Sequence, residues 1–459
     1  MIESDYVVVG AGAMGMAFTD TILSETDATV TLIDRRARPG GHWNLAYPFV
    51  RLHQPSAFYG VASTPLGTDA IDDAGLNEGL YQLATGTEIL AYYDTVLRDR
   101  FLAGGRVRFL PMTDYRGGRA VSLLTGESFD VRARRRAVDA TYMDVSVPAM
   151  RPPTYDIGEG AMVAPVNRLG ELHTPADRYV IVGAGKTGVD ACLWLLTNGI
   201  DPDRITWIMP RDAWYANRAD IQPGGFAERS LIRLTGQAAA LAESTSIPDV
   251  FDRLEETGLL LRLDPDVTPT MYRCATVTTA ELAELRRIER IVRTGRVRSI
   301  GAHLIDFDDG IEPTSPGTLH IDCTADALAT RPARPVFEPG RLVLQPVRHC
   351  QQVFSAALIA RVEALDLDDD QRNEYCGPIP HPNTDTDWIR SWLASSRNLM
   401  TWRNDPVLTT WLENCRLDPF SMSGSPSRET KVQLLQAARR FAPAIEAAER
   451  YVAELDSVP

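Results

Sequence analysis

No two of the six cysteines in this 459-residue chain stand near one another. Cys192, Cys274, Cys323, Cys350, Cys376 and Cys415 are scattered without a C-x-x-C pair. That excludes a zinc-ribbon spacing or a dense disulfide framework and reads as unpaired thiols in a reducing compartment, with no metal site. A long hydrophobic run is also missing, as is a basic leader before the apolar run around Tyr6. Neither a membrane span nor a signal peptide is therefore expected. Positive charge is in deficit: 47 basic against 61 acidic residues give −14. Nucleic acid and anionic membrane are poor partners for such a surface, although a local basic site for phosphate remains open. What is left is a cytoplasmic globular protein, and its length predicts two or three domains.

What is present begins at once. Residues 5–9 form a continuous apolar run suited to a buried parallel strand. Gly10, Gly12 and Gly15 follow in G-x-G-x-x-G spacing and open a helix reaching about residue 23. In such a turn the first glycine bends the chain, the second lets backbone approach a pyrophosphate, and the third lets helix and strand pack closely. The phosphates sit on the helix N-terminus, where free N–H groups and the dipole favour negative charge. A second strand over residues 29–33 ends in Asp34, with Arg35 after it, nineteen residues past the third glycine. An acid there accepts hydrogen bonds from ribose hydroxyls.

A second copy follows. Residues 179–182 read as a strand, Gly183, Gly185 and Gly188 as the fingerprint, and residues 189–197 as its helix. Lys186 adds positive charge inside the turn. The next strand, residues 205–209, ends not in an acid but in Pro210-Arg211. A guanidinium suits a ribose 2′-phosphate, which a carboxylate would repel, so NADPH is favoured. Asp212 follows immediately and keeps NADH as the alternative.

Two unlike nucleotide folds suggest two dinucleotides. The order Asp34, Gly40, Gly41, Trp43 resembles the flavin-containing monooxygenases and related flavoproteins with two dinucleotide-binding domains. The segment RLHQPSAFYGV, residues 51–61, is similar to the stretch that passes near the isoalloxazine in that family, and VIVGAGKTGVDA, with Thr187 before its third glycine and Asp190 after it, to the NADPH fingerprint. Thr141, in Asp139-Ala140-Thr141-Tyr142, looks like the family's exit from the first fold, with Tyr142 in place of glycine. The resemblance implies FAD and NADPH as cofactors and an α/β fold with two Rossmann-like domains, the NAD(P)H domain inserted into the FAD domain. It implies FAD segments at residues 1–150 and 311–365, an NAD(P)H domain at 151–310, and a helical region at 366–459. Residues 319–328 would be a returning piece of the first domain, with Asp326 near the flavin or capping a helix. The four tryptophans Trp388, Trp392, Trp402 and Trp411 read as a helix face docked on the main body, with a substrate lid as the sharper alternative.

From the residues themselves, Gly40 and Gly41 permit close backbone approach and Trp43 offers an apolar face with one N–H. The resemblance implies NADPH reduction of FAD, then reaction with molecular oxygen through a flavin C4a-hydroperoxide, oxygenating a small organic molecule at nitrogen, sulfur or a carbonyl carbon. By the same resemblance, Gln54 and His53 are the polar side chains beside the reacting flavin atom, and a homodimer is compatible. One element is missing: residues 155–173 do not reproduce the family's Phe-x-Gly-x-x-x-His. An NAD(P)H-dependent flavin oxidase or dehydrogenase stays open, and a non-catalytic nucleotide-binding module ranks last. A flavin disulfide reductase is set aside, because no close cysteine pair follows the first fold.

Overall fold

A computed structural model describes residues 1–325, 328–329, 331–421 and 428–457. The chain opens with strand β1 (Ile2–Val9), helix α1 (Ala13–Glu25), strand β2 (Val30–Ile33), then β3 (Val107–Leu110) and β4 (Ser128–Asp139). Val7 and Val8 of β1 and all of β2 are buried, as the uninterrupted apolar runs require of strands covered on both faces. β1 pairs in parallel with β2 on one side and β4 on the other, and β2 pairs with β3. A hairpin precedes β4's pairing with β1, Arg119–Ser122 lying antiparallel to the start of β4.

The second fold repeats this plan. Its strands are β5 (Met162–Pro165), β6 (Arg178–Val182), β7 (Ile205–Ile208), β8 (Ile291–Val292) and β9 (Thr318–Asp322), with α2 (Lys186–Thr197) after β6. Their order across the sheet is β8-β7-β6-β9-β5. The chain then returns to the first sheet through β10 (Arg341–Val343), parallel to β4, so that sheet runs β10-β4-β1-β2-β3. Both sheets share a five-strand parallel core with the glycine-bearing strand at its centre, and the first also carries Phe337–Glu338 beyond β10 and the hairpin strands at 113–116 and 119–122.

This corrects the expected boundary. Residues 318–322 belong to the second sheet, paired with β6 along their whole length, and the first sheet is rejoined only at residue 337, by the short strand Phe337–Glu338 that lies antiparallel to β10. An apolar strand pattern says that a strand is buried but not which parallel neighbour it takes. Asp326 lies outside the described residues. Two smaller sheets extend the second fold, one of Ala213–Asn217, Leu260–Leu261 and Met271–Val277, the other holding the hairpin of Val297–Ile300 and Leu304–Phe307.

The C-terminal region is helical. In helix Asp387–Arg403, Trp388 and Trp392 are buried in one apolar cluster with Trp214 and Phe251 of the second fold. Trp402 packs on Phe354 and donates its N–H to the Tyr375 carbonyl at 2.7 Å, while Trp411 donates to Glu25 Oε1 at 3.1 Å. The four indoles dock this region onto both folds, so the docked-face reading holds. Among the described residues no helix is long and apolar enough to cross a membrane.

Candidate active site

Both glycine turns have the shape their spacing demands. A Cβ on Gly15 would stand 1.9 Å from the Gly10 carbonyl oxygen, and one on Gly188 would stand 2.1 Å from that of Gly183. No side chain fits there, so each helix sits directly on its strand. Gly10 and Gly183 take φ of 104° and 125°, the left-handed side that favours glycine. Neither α1 nor α2 carries a side-chain cap at its N-terminus. Apart from Gly188, whose N–H donates to the Gly185 carbonyl at 2.9 Å, the first-turn N–H groups have no side-chain cap and suit an acceptor from outside the helix.

The acid at the end of β2 closes on this turn. Asp34 is buried; its Oδ2 accepts from the Ala11 N–H at 2.6 Å and its Oδ1 from the Arg36 N–H at 2.7 Å. Burial raises its pKa, while those backbone N–H groups and the neighbouring Arg36 and Arg35 oppose the rise. Each carboxylate oxygen keeps a second lone pair, which is what ribose hydroxyls need. Arg35 itself is exposed and stands 3.7 Å from Asp114.

Gly40 and Gly41 lie against the turn rather than in open space. The Gly40 N–H donates to the Ala11 carbonyl at 2.8 Å, and a Cβ on Gly41 would come within 3.0 Å of Gly12 Cα. Their small size lets two backbones touch where the phosphates are expected. Trp43 is buried and its N–H donates to the Tyr59 hydroxyl at 2.7 Å. The indole N–H is thus committed to the core, and what Trp43 offers is packing. Thr141 donates from its N–H and its hydroxyl to Asp139 Oδ1, at 2.9 and 2.7 Å. Thr324 does the same toward Asp322, so the related run at 319–328 makes the same strand exit, but from the second sheet.

In the second fold the charges are already arranged. Lys186 is ion-paired with Asp190 one helical turn on, and Asp190 also accepts from the Tyr47 hydroxyl. Burial, then Asp190, raises the Tyr47 pKa. Thr187 is half-buried in the first turn of α2. Arg211 is half-buried beyond β7 and donates to Asn383 Oδ1 at 3.1 Å. Asp212 is buried and gripped by both arms of Arg293, at 2.7 and 2.9 Å. That removes the carboxylate from competition at the ribose and leaves the local balance with Arg211.

Between the two folds, the segment carrying His53 and Gln54 is held from three sides. His53 Nδ1 accepts from the Thr276 N–H at 3.3 Å, and the His53 carbonyl accepts from the Thr276 hydroxyl and from Arg218 Nε at 3.2 Å. Burial, aided by the positive charges of Lys186 and Arg218, lowers the His53 pKa to about 3. The ring is therefore neutral at pH 7, with its proton on Nε2. Gln54 Oε1 accepts from Gln351 Nε2 at 3.2 Å. Gln351 Oε1, His349 Nε2 and the indole N–H groups of Trp388, Trp392 and Trp214 are buried without a hydrogen-bond partner among the described residues. Two cavities, one of about 510 Å³ lined by Arg136, Glu363 and Arg372 and one beside β6 and β7, lie away from this junction.

The cysteines require a correction. Cys274 and Cys350, 76 residues apart, form a disulfide with Cα atoms 6.2 Å apart, while Cys192, Cys323, Cys376 and Cys415 are free and buried. Spacing along the chain hid a pair that the domain junction assembles.

A family model described as an NAD(P)-binding Rossmann-like domain matches residues 8–47. The uncharacterized proteins Rv2000 of Mycobacterium tuberculosis (strain ATCC 25618 / H37Rv) and Mb2023 of Mycobacterium bovis (strain ATCC BAA-935 / AF2122/97) are each 53% identical over 418 residues, 91% of this chain and 78% of the relative. Among solved structures, a steroid monooxygenase bound to NADP is 17% identical, with a TM-score of 0.49 over 79% of this chain and 85% of that one. A cyclohexanone monooxygenase from Rhodococcus sp. Phi1 bound to NADP+ is 15% identical, with a TM-score of 0.48 over 96% and 98%. A flavin-containing monooxygenase from Stenotrophomonas maltophilia is 15% identical, with a TM-score of 0.42 over 82% and 100%.

Proposed function

The chain belongs to the family of the mycobacterial proteins Rv2000 and Mb2023, and we propose that it is an NADPH-dependent FAD monooxygenase acting on a small organic substrate at nitrogen, sulfur or a carbonyl carbon. The observation that carries this reading is the pair of matched nucleotide folds with uncapped helix N-termini, one closed by Asp34 and the other by Arg211. Asp34, Gly40 and Gly41 around the first turn fit the ribose and pyrophosphate of FAD. Arg211, with Asp212 neutralised by Arg293, fits the 2′-phosphate of NADPH.

When bound, FAD supplies the redox chemistry with the nicotinamide and with O₂. The protein's part is to hold the reactants and exclude water. His53, neutral and pinned through Nδ1, keeps an N–H donor at Nε2. Gln54, anchored through its oxygen by Gln351, keeps its amide N–H donors for a polar atom in the site.

The test is reduction by NADPH without air, followed by ¹⁸O₂ in the presence of a thioether or a cyclic ketone. The expected product carries one ¹⁸O atom. Oxidised flavin with stoichiometric peroxide and unlabelled substrate would replace the monooxygenase with an oxidase. A protein that neither holds nor takes up flavin would overturn the assignment of the first fold.

A further inference from the structure

Cys274 and Cys350 come from different parts of the molecule. Cys274 lies on the strand Met271–Val277 of the second fold, and Cys350 immediately precedes the helix Gln352–Glu363 that packs on α1 of the first. Each stands close in sequence to a residue that holds the 53–54 segment. Thr276, two residues after Cys274, bonds His53, and Gln351, next to Cys350, bonds Gln54. His381, buried, places a ring nitrogen within 4.8 Å of both sulfurs. Both cysteines have left-handed backbone, with φ of 60° and 58°, which non-glycine residues adopt at a cost and which clusters at working sites. A disulfide kept only to brace the fold does not need a histidine at its sulfurs or two strained anchors beside the polar residues of the active site.

We propose that Cys274 and Cys350 are a redox-active pair that takes two electrons from the reduced flavin, making this chain an NAD(P)H-driven dithiol–disulfide oxidoreductase as well. The inference rests on the flavin reading above. NAD(P)H gives a hydride, two electrons with one proton, to the flavin. The reduced flavin passes two electrons into the S–S bond, which breaks. One proton arrives with the hydride and one from solvent by way of His381, and both finish on the sulfurs. The balance is NAD(P)H, one proton and the disulfide in, NAD(P)⁺ and two thiols out. His381, with a ring nitrogen within 4.8 Å of both sulfurs, is placed to pass that proton to the sulfur that leaves first.

Thiol counting on the flavin-loaded protein tests this directly. The protein is titrated anaerobically with NADPH while flavin absorbance is followed, then denatured, alkylated and weighed. Before reduction, four cysteines should alkylate, the four that are free. After full reduction all six of the chain should do so, and bleaching should consume twice the NADPH that the flavin alone requires. Cys350→Ser should halve that consumption while its flavin still bleaches. Bleached flavin with the count unchanged overturns the redox role but leaves the flavin reading intact. A colourless protein fails the flavin reading itself. Six reactive thiols before any reductant, with one zinc ion per chain, would overturn the proposal and make Cys274, Cys350 and His381 a cation site.

Discussion

Arg218 donates from Nη1 and Nη2 to the two carboxylate oxygens of Glu281, at 3.0 and 2.8 Å, with the arginine entirely buried. The same guanidinium reaches the His53 carbonyl and Asn77 Oδ1 of the first fold, and the Thr276 carbonyl of the second. Glu281 also accepts from the Thr278 N–H and so caps its own helix. One ion pair therefore locks the candidate active-site segment to the domain junction. Removing one partner leaves a buried charge alone, which costs about 3–5 kcal/mol, whereas replacing both by apolar residues of similar volume is often neutral. Arg218→Met should lower the urea midpoint strongly, and the added Glu281→Met should recover most of the loss. A double variant no more stable than the single one would show that the pair is not coupled.

The two glycine turns should fail differently. Gly15→Ala drives a Cβ onto backbone in the first fold and Gly188→Ala does so in the second. Overpacking of this kind costs about 1–3 kcal/mol and displaces the helix N-terminus. Gly15→Ala should be purified with little flavin. Gly188→Ala should keep its flavin but be reduced slowly by NADPH. Equal loss of flavin in both variants would contradict the assignment of one dinucleotide to each fold.

Arg211→Ala should raise KM for NADPH by about 10- to 100-fold, the worth of about 1.5–3 kcal/mol in hydrogen bonds to a charged group, and leave NADH nearly unaffected. Steady-state kinetics with both coenzymes decides this. An equal effect on both would place Arg211 away from the 2′-phosphate and return its role to holding Asn383.

Acid should weaken the fold through its histidines. Burial lowers the pKa of His53 and His349 to about 3 and that of His42 to about 4, from an ordinary 6.5. Below pH 6.5 the unfolded chain takes up protons that these rings in the folded chain refuse, so stability falls as pH drops from 6.5 toward 3. Urea midpoints at pH 8, 6 and 4.5 should decline in that order. His53→Asn, with its stability compared across the same range, should show a shallower decline than the parent. An unchanged slope would remove His53 from the account.

Much of this architecture was legible in the residues. Glycines at 10, 12 and 15 and again at 183, 185 and 188 prescribe a strand, a tight turn and a helix, and these form wherever the chain supplies apolar runs on either side. The acid and the arginine after the second strand of each copy were equally local. What spacing could not show is which distant group each side chain meets. Asp212 looked like a ribose acceptor until Arg293 arrived from 81 residues away. Trp43 looked free until Tyr59 took its N–H. The strand at 318–322 carried a buried pattern that either sheet could have used, and the cysteines were remote in sequence yet adjacent in space.

The anchoring of His53 and Gln54 bears on how the protein is made. Their partners Arg218, Thr276 and Gln351 lie 165, 223 and 297 residues further along the chain. Each nucleotide turn closes among near neighbours, but this segment settles only after the second fold and the return to the first sheet exist. A nascent chain thus acquires its cofactor cradles well before its reactive centre. Residues 53 and 54 would stay without their anchors until synthesis has passed the Gln352–Glu363 helix.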